Sequence, residues 1–112
     1  MLILKAQLVS SLLEILAVSY YNMPQVHRLT DDNTAGAPII VVIQSSVFTN
    51  NLLTSVDGCP VAGHGPGVHG GPLTANGSPN VFIENIPVNR LGDPDTCGHR
   101  RAAGSPDVYV NG

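Results

Sequence analysis

The chain repeats itself, and the repeat limits what it can fold into. Gly77-Ser78-Pro79-Asn80-Val81-Phe82-Ile83 recurs 27 residues later as Gly104-Ser105-Pro106-Asp107-Val108-Tyr109-Val110. A weaker copy is Ser45-Ser46-Val47-Phe48-Thr49-Asn50-Asn51. A second segment, Pro87-Val88-Asn89-Arg90-Leu91-Gly92-Asp93, matches Gln25-Val26-His27-Arg28-Leu29-Thr30-Asp31 at an offset of 62. That match runs on, with Asp95-Thr96-Cys97-Gly98 over Asn33-Thr34-Ala35-Gly36. Repeats of this kind bury their apolar faces against one another, so the architecture must be built from copies of one small unit.

The unit reads as a β-hairpin. Val81-Phe82-Ile83 is a short β-branched and aromatic run, Glu84-Asn85 supplies a turn, and Ile86 to Leu91 returns. Val47-Phe48-Thr49, Asn50-Asn51 and Leu52 to Val56 form the parallel first unit. The third unit starts at Val108 and stops at Asn111-Gly112, where its turn belongs. Its return strand is missing there, while a spare return strand, Val26 to Leu29, stands near the start. The simplest closure pairs the two. It predicts an all-β domain of three short hairpin units around an approximate threefold axis, with the ends of the repeat region adjacent.

Composition separates two parts. All 12 Gly and all 9 Pro lie at or after residue 24, so residues 23–112 are turn-rich and unsuited to a helix bundle. Residues 1–22 hold the only Lys, Lys5, and a dense run of Leu, Ile and Val at helical spacing, which predicts a helix of about four turns. Lys5, Gln7 and Glu14 interrupt it as a membrane span, and Glu14 with Ser19-Tyr20-Tyr21-Asn22 spoils it as a signal peptide. Three readings stand: a docking or oligomerisation arm, a degenerate targeting segment, or an extension upstream of a start at Met23. A net charge of −3 gives no basic patch for nucleic acid.

A domain with no Trp and 4% aromatic residues is short of large core anchors and calls for a staple. The long segment Cys59 to Asn76 carries His64 and His69 among glycines, and Thr96-Cys97-Gly98-His99 adds a thiol and a third imidazole. Three His and one Cys make a sound tetrahedral set for zinc or iron. A Cys59–Cys97 disulfide is the rival staple. The Gly run at 63–71 lacks the Lys and Ser/Thr of a phosphate loop. His27, whose repeat equivalent is Asn89, reads as solvated, as does the pair Arg100-Arg101. Asp93 and Asp95 read as turn residues, although a small metal-dependent hydrolase would use them as general bases.

The strand Gly77 to Ile83, the return Pro87 to Asp93, His69-Gly70-Gly71 and Cys97-Gly98-His99 together resemble the PAAR-repeat proteins, over about residues 23–112. The resemblance implies a small β cone whose base sits on a trimeric β-helical spike, one copy per trimer. At its apex one structural zinc or iron ion would be held by His64, His69, Cys97 and His99. It implies a non-enzymatic tip that sharpens a phage tail baseplate spike for puncture of the host envelope, meeting the target membrane transiently. The location implied is the virion, with a bacterial type VI secretion spike as the alternative. The absence of an effector extension favours the phage, and no stable homo-oligomer is expected. Glu84-Asn85 in place of Asn-Gly, and Val88-Asn89-Arg90 in place of Ala-Ala-Arg, depart from the family pattern.

Overall fold

The structure is a computed structural model that describes Ile3–Leu4 and residues 23–110. Six two-residue strands carry it: β1 (Ile3–Leu4), β2 (Phe48–Thr49), β3 (Leu52–Leu53), β4 (Phe82–Ile83), β5 (Ile86–Pro87) and β6 (Val108–Tyr109). The expected helix over Met1 to Tyr21 lies outside the described residues, apart from Ile3–Leu4, which is strand and pairs antiparallel with β6. Among the described residues the one helical element is a 3-10 turn at Gly67–His69, and no helix is long and apolar enough to cross a membrane.

β2 with β3 and β4 with β5 form the two complete hairpins. Their turns place Asn50 and Asn51 at φ 53° and 65°, and Glu84 and Asn85 at 52° and 65°. Two successive positive φ values define the turn whose twist matches a hairpin, and Asn tolerates them. Glu84 does not share that tolerance. Its carboxylate instead accepts hydrogen bonds from Ser46 Oγ at 2.7 Å and from the Ser45 N–H at 3.2 Å, which tie its turn to the neighbouring unit. The same bonds hold its pKa below the usual carboxylate value.

The third hairpin closes across the chain ends of the domain, as the repeat predicts. Tyr109 pairs with Gln25, and the Val110 N–H donates to Pro24 O at 3.1 Å. The three return segments then form a ring through the bridges Arg28 with Thr54, Val56 with Val88, and Val26 with Arg90. Three equivalent backbone bonds run round this ring: His27 N to Asn89 O (3.0 Å), Asn89 N to Ser55 O (2.9 Å) and Ser55 N to His27 O (2.9 Å). Val26, Thr54 and Val88 each donate in turn to the first strand of their own unit, at Val108, Val47 and Val81. The pseudo-threefold relation is thus written into the backbone.

Repeated side chains explain why the units survive sequence drift. Ser78 Oγ accepts from the N–H groups of Asn80 and Val81, and Ser105 Oγ accepts from Asp107 and Val108. In the weak first copy Gln44 stands at this position: its Oε1 accepts from the Ser46 and Val47 N–H groups. Its Nε2 also donates to Thr54 O at 2.9 Å, doing what the Ser78 backbone does for Val88 O. Gly77 and Gly104 precede the two serines because a Cβ there would lie 2.7 Å from Val88 O and 2.9 Å from Gln25 Cβ. Only glycine lets the chain approach the return strand so closely.

The core is small and aliphatic: Val26, Val56, Val61, Val81, Ile83, Val88, Val108 and Val110, with Ile39, Ala37 and Cys59. Where the other units place Ile83 against Val88 and Val110 against Val26, the first unit places Thr49 and Thr54, whose hydroxyls bond each other at 2.8 Å. That pair satisfies itself, so the apolar layer tolerates it.

Three expectations are overturned. His27 and Asn89 are completely buried rather than outward-facing, because they line the pseudo-threefold ring. Arg101 is buried rather than solvated, and Asp95 is its buried ion-pair partner rather than a turn residue. Arg101 occupies the place of Ile39 at the offset of 62, and that alignment was the signal that it points inward. By contrast Asp93 is held as a turn residue, clasping the Arg90 N–H at 2.8 Å and its guanidinium at 2.9 and 3.1 Å. Asp31 clasps Arg28 in the same way.

Candidate metal centre

Beyond the ring, each unit sends out a loop, and the three loops pair with one another at the opposite end from the hairpin turns. Their stems close at Asp32 with Pro38, Pro60 with Leu73, and Pro94 with Arg100. Neighbouring loops are tied by Asn33 with Arg101, Ile39 with Val61, and Thr74 with Asp95. The long segment from Cys59 is therefore more ordered than its sequence suggests. Its ends are laddered, with Val61 N to Pro72 O and Thr74 N to Cys59 O, and only its tip is irregular. At the tip Gly63 passes so close to Gly70 that a Cβ would stand 2.6 Å from the Gly70 carbonyl oxygen. That pinch, with His64 N donating to His69 O at 2.8 Å, brings the two imidazoles of one loop side by side.

His64, His69 and Cys97 bring their ligand atoms together at this apex, and the His99 ring packs beside them without joining that group. His64 and His69 come from the second loop, Cys97 and His99 from the third. The three imidazole centroids form a near-equilateral triangle with sides of 5.0, 5.1 and 5.2 Å. His64 Nε2 lies 3.1 Å from His69 Nδ1 and 3.7 Å from Cys97 Sγ. Ligand atoms of His64, His69 and Cys97 all fall within 4.8 Å of one another. Around a tetrahedral zinc ion, nitrogen ligands stand roughly 3.4 Å apart and nitrogen and sulfur roughly 3.6 Å apart, given bonds of about 2.0–2.1 and 2.3 Å. The His64–His69 and His64–Cys97 separations are close to these values, so the three residues fit a tetrahedral ion, with His99 beside them as the fourth candidate.

Local hydrogen bonds orient the rings. His64 Nδ1 sits 3.0 Å from Ala62 O, so it carries the proton and leaves the Nε2 lone pair facing His69 and Cys97. This is the outer contact that metal-ligating imidazoles use to fix their tautomer. His99 Nδ1 lies 3.1 Å from the Thr34 hydroxyl of the first loop. Two further bonds set the third loop: Asp95 N donates to His99 O at 2.7 Å, and Gly98 N to Asp95 O at 3.0 Å. Both cysteines are free thiols. Cys59 is buried in the core and Cys97 faces the imidazoles, so the two do not form the alternative disulfide staple. A mixed imidazole and thiolate set of this kind suits zinc or iron and could hold an ion.

Sequence reasoning missed what lies beneath the apex. The Asp95 carboxylate receives Arg101 Nη2 and, at 2.9 Å, Asn33 Nδ2, while Arg101 Nη1 donates to His27 Nε2 at 2.9 Å. His27 Nδ1 then donates to Ala103 O at 2.7 Å. Burial, followed by the Arg101 charge, pushes the His27 pKa down to about 4 and keeps the ring neutral. This chain of polar groups joins the ring to the root of the loop that carries Cys97 and His99.

A family model described as PAAR motif matches residues 62–112, a stretch that contains all four apical residues and the second and third hairpin segments. Among curated proteins none matches the chain.

Proposed function

We propose that the chain, which matches the PAAR motif over residues 62–112, is a spike tip of a contractile injection system and caps a trimeric β-helical spike in a phage tail baseplate. Its threefold hairpin face would meet the three chains of the spike, one copy per trimer, and its apex would lead into the host envelope. The observation that carries this reading is the equivalence of Phe48, Phe82 and Tyr109. Each is the middle residue of its unit's Val-Phe-Thr, Val-Phe-Ile or Val-Tyr-Val run, with Phe48 and Phe82 59% and 54% exposed and Tyr109 half-buried. Aromatics at three repeated positions, two of them exposed, suit a partner with threefold symmetry.

We propose further that His64, His69, Cys97 and His99 hold one zinc or iron ion. When bound, the ion supplies folding energy, because it fastens two loops that otherwise meet only through backbone ladders and side-chain contacts. The family is structural rather than enzymatic, and the residues taken for general bases are committed elsewhere: Asp93 to Arg90 and Asp95 to Arg101. A type VI secretion spike would use the same base and apex, and the neighbouring genes distinguish the two settings.

The test is capture by a purified trimeric β-helical spike of a phage tail baseplate. The wild-type chain is expected to form a complex that survives size-exclusion chromatography. Phe48→Ser and Phe82→Ser together are expected to abolish it while the domain still folds by circular dichroism. Undiminished binding by the double variant would remove the hairpin face as the docking surface.

A further inference from the structure

Two of the three apical loops carry the expected metal ligands; the first, residues 32–38, carries none. Yet that loop is not a bystander. Its Thr34 Oγ1 lies 3.1 Å from His99 Nδ1 and also receives the Arg100 N–H at 3.4 Å. The Thr34 N–H donates to Arg100 O at 2.9 Å, so the threonine is pinned to the third loop through its backbone as well. Asn33, its neighbour, donates to the buried Asp95 carboxylate and accepts from the Ala35 and Ala37 N–H groups through Oδ1. The backbone that presents Thr34 is therefore rigid.

We infer that Thr34 is a positioning residue for the metal centre, which selects the tautomer and the ligating nitrogen of His99. The inference rests on the metal-centre reading above. A hydroxyl oxygen has two lone pairs and can accept from the Arg100 N–H and from His99 Nδ1–H together. With the proton held on Nδ1, the lone pair lies on Nε2, the nitrogen that remains free to ligate. Without Thr34 the ring loses both its tautomer bias and its rotational anchor, since the other imidazoles hold it only by ring contact. The loop without a ligand thereby completes the site, and all three units contribute to it.

Metal-ligating histidines depend on such partners, whose loss typically weakens metal binding about 10- to 100-fold. The experiment titrates Co(II), then Zn(II) in competition, into the full chain as wild type, Thr34→Val, Thr34→Ser and His99→Ala. Nitrogen-15 imidazole NMR of the Zn(II)-loaded wild type reads the tautomer of His99. The inference predicts about tenfold weaker metal binding and altered Co(II) ligand-field bands for Thr34→Val, near-wild-type values for Thr34→Ser, and His99 ligated through Nε2 with Nδ1 protonated. If the wild type binds metal and Thr34→Val matches it in affinity and spectrum, the positioning role is wrong and the metal centre stands. If NMR finds His99 ligated through Nδ1, the role is wrong whether or not any variant folds. If the wild type binds neither ion, the metal-centre reading itself fails and this inference falls with it.

Discussion

The two ends of the molecule obey different rules. At the hairpin end three units make the same ring of backbone bonds, carry a cap at the same position (Ser78, Ser105 or Gln44) and place an aromatic at the same position. At the apex the three loops share their stems but not their tips: one is long and carries two imidazoles, one carries a thiol and an imidazole, one carries a threonine. Symmetry is kept at the hairpin end and dropped at the apex, where three imidazoles and one thiol come from only two of the loops. The boundary between the regimes is the layer holding Asn33, Asp95 and Arg101, where a buried ion pair takes the positions that Ile39 and Val61 fill between the first and second loops.

That boundary is the most sensitive place to break the arrangement. Asp95→Ala leaves the Arg101 guanidinium buried without its counter-charge and is expected to cost about 3–5 kcal/mol in denaturant unfolding. Asp93→Ala, which opens a clasp at the rim, is expected to cost clearly less. Equal losses would mean that the buried pair has no special role.

Acid reaches the same layer through His27. Unfolded, the ring takes up a proton near its ordinary value of 6.5; folded, it resists until about 4, with Arg101, Asp31 and Asp95 as the charged groups around it. The unfolded state therefore binds more protons across that window. Stability is full above it and falls as pH drops from 6.5 to about 4, on the order of 3 kcal/mol in all. His27→Asn, which installs the residue found at the equivalent Asn89, is expected to flatten this slope when wild type and variant are compared in chelator.

Metal removal should act on the apex and spare the base. With metal at about 100 times its dissociation constant, binding adds roughly 2.7 kcal/mol of stability. Chelation is expected to lower the melting temperature of the wild type and leave that of His69→Ala unmoved. Amide exchange should rise in residues 62–72 and 94–100 and stay constant in the hairpins.

The smallest effects compare the units of the base. Ser78→Ala and Ser105→Ala each remove one cap and are expected to cost about 1 kcal/mol. Gln44→Ala removes both a cap and the bond to Thr54 O, and should cost more. Urea midpoints at constant slope measure all three.

The base was legible in the sequence because each hairpin repeats a local signal: a β-branched strand, a two-residue turn and a return. Even the closure of Tyr109 onto Gln25 followed from a missing strand at one end and a spare at the other. The four apical residues were legible as types, but the convergence of His64, His69 and Cys97 depends on the Gly63–Gly70 pinch and on ladders between loops distant in sequence. The polar core was misread because His27, Asp95 and Arg101 look solvent-bound when taken singly. Their burial follows from position in the repeat, and position outweighs residue type once a ring of backbone bonds fixes which way a side chain points. Gln44 was overlooked for a related reason. It performs the serine's task with a different side chain, one residue before the serines that the alignment favoured.

Native mass spectrometry of the chain assembled with its neighbouring trimeric spike tests the central claim most directly. The account predicts a single species of three spike chains, one copy of this protein and one metal ion. Three copies per trimer, or a single copy that assembles fully but carries no ion from metal-supplemented cells, would contradict it.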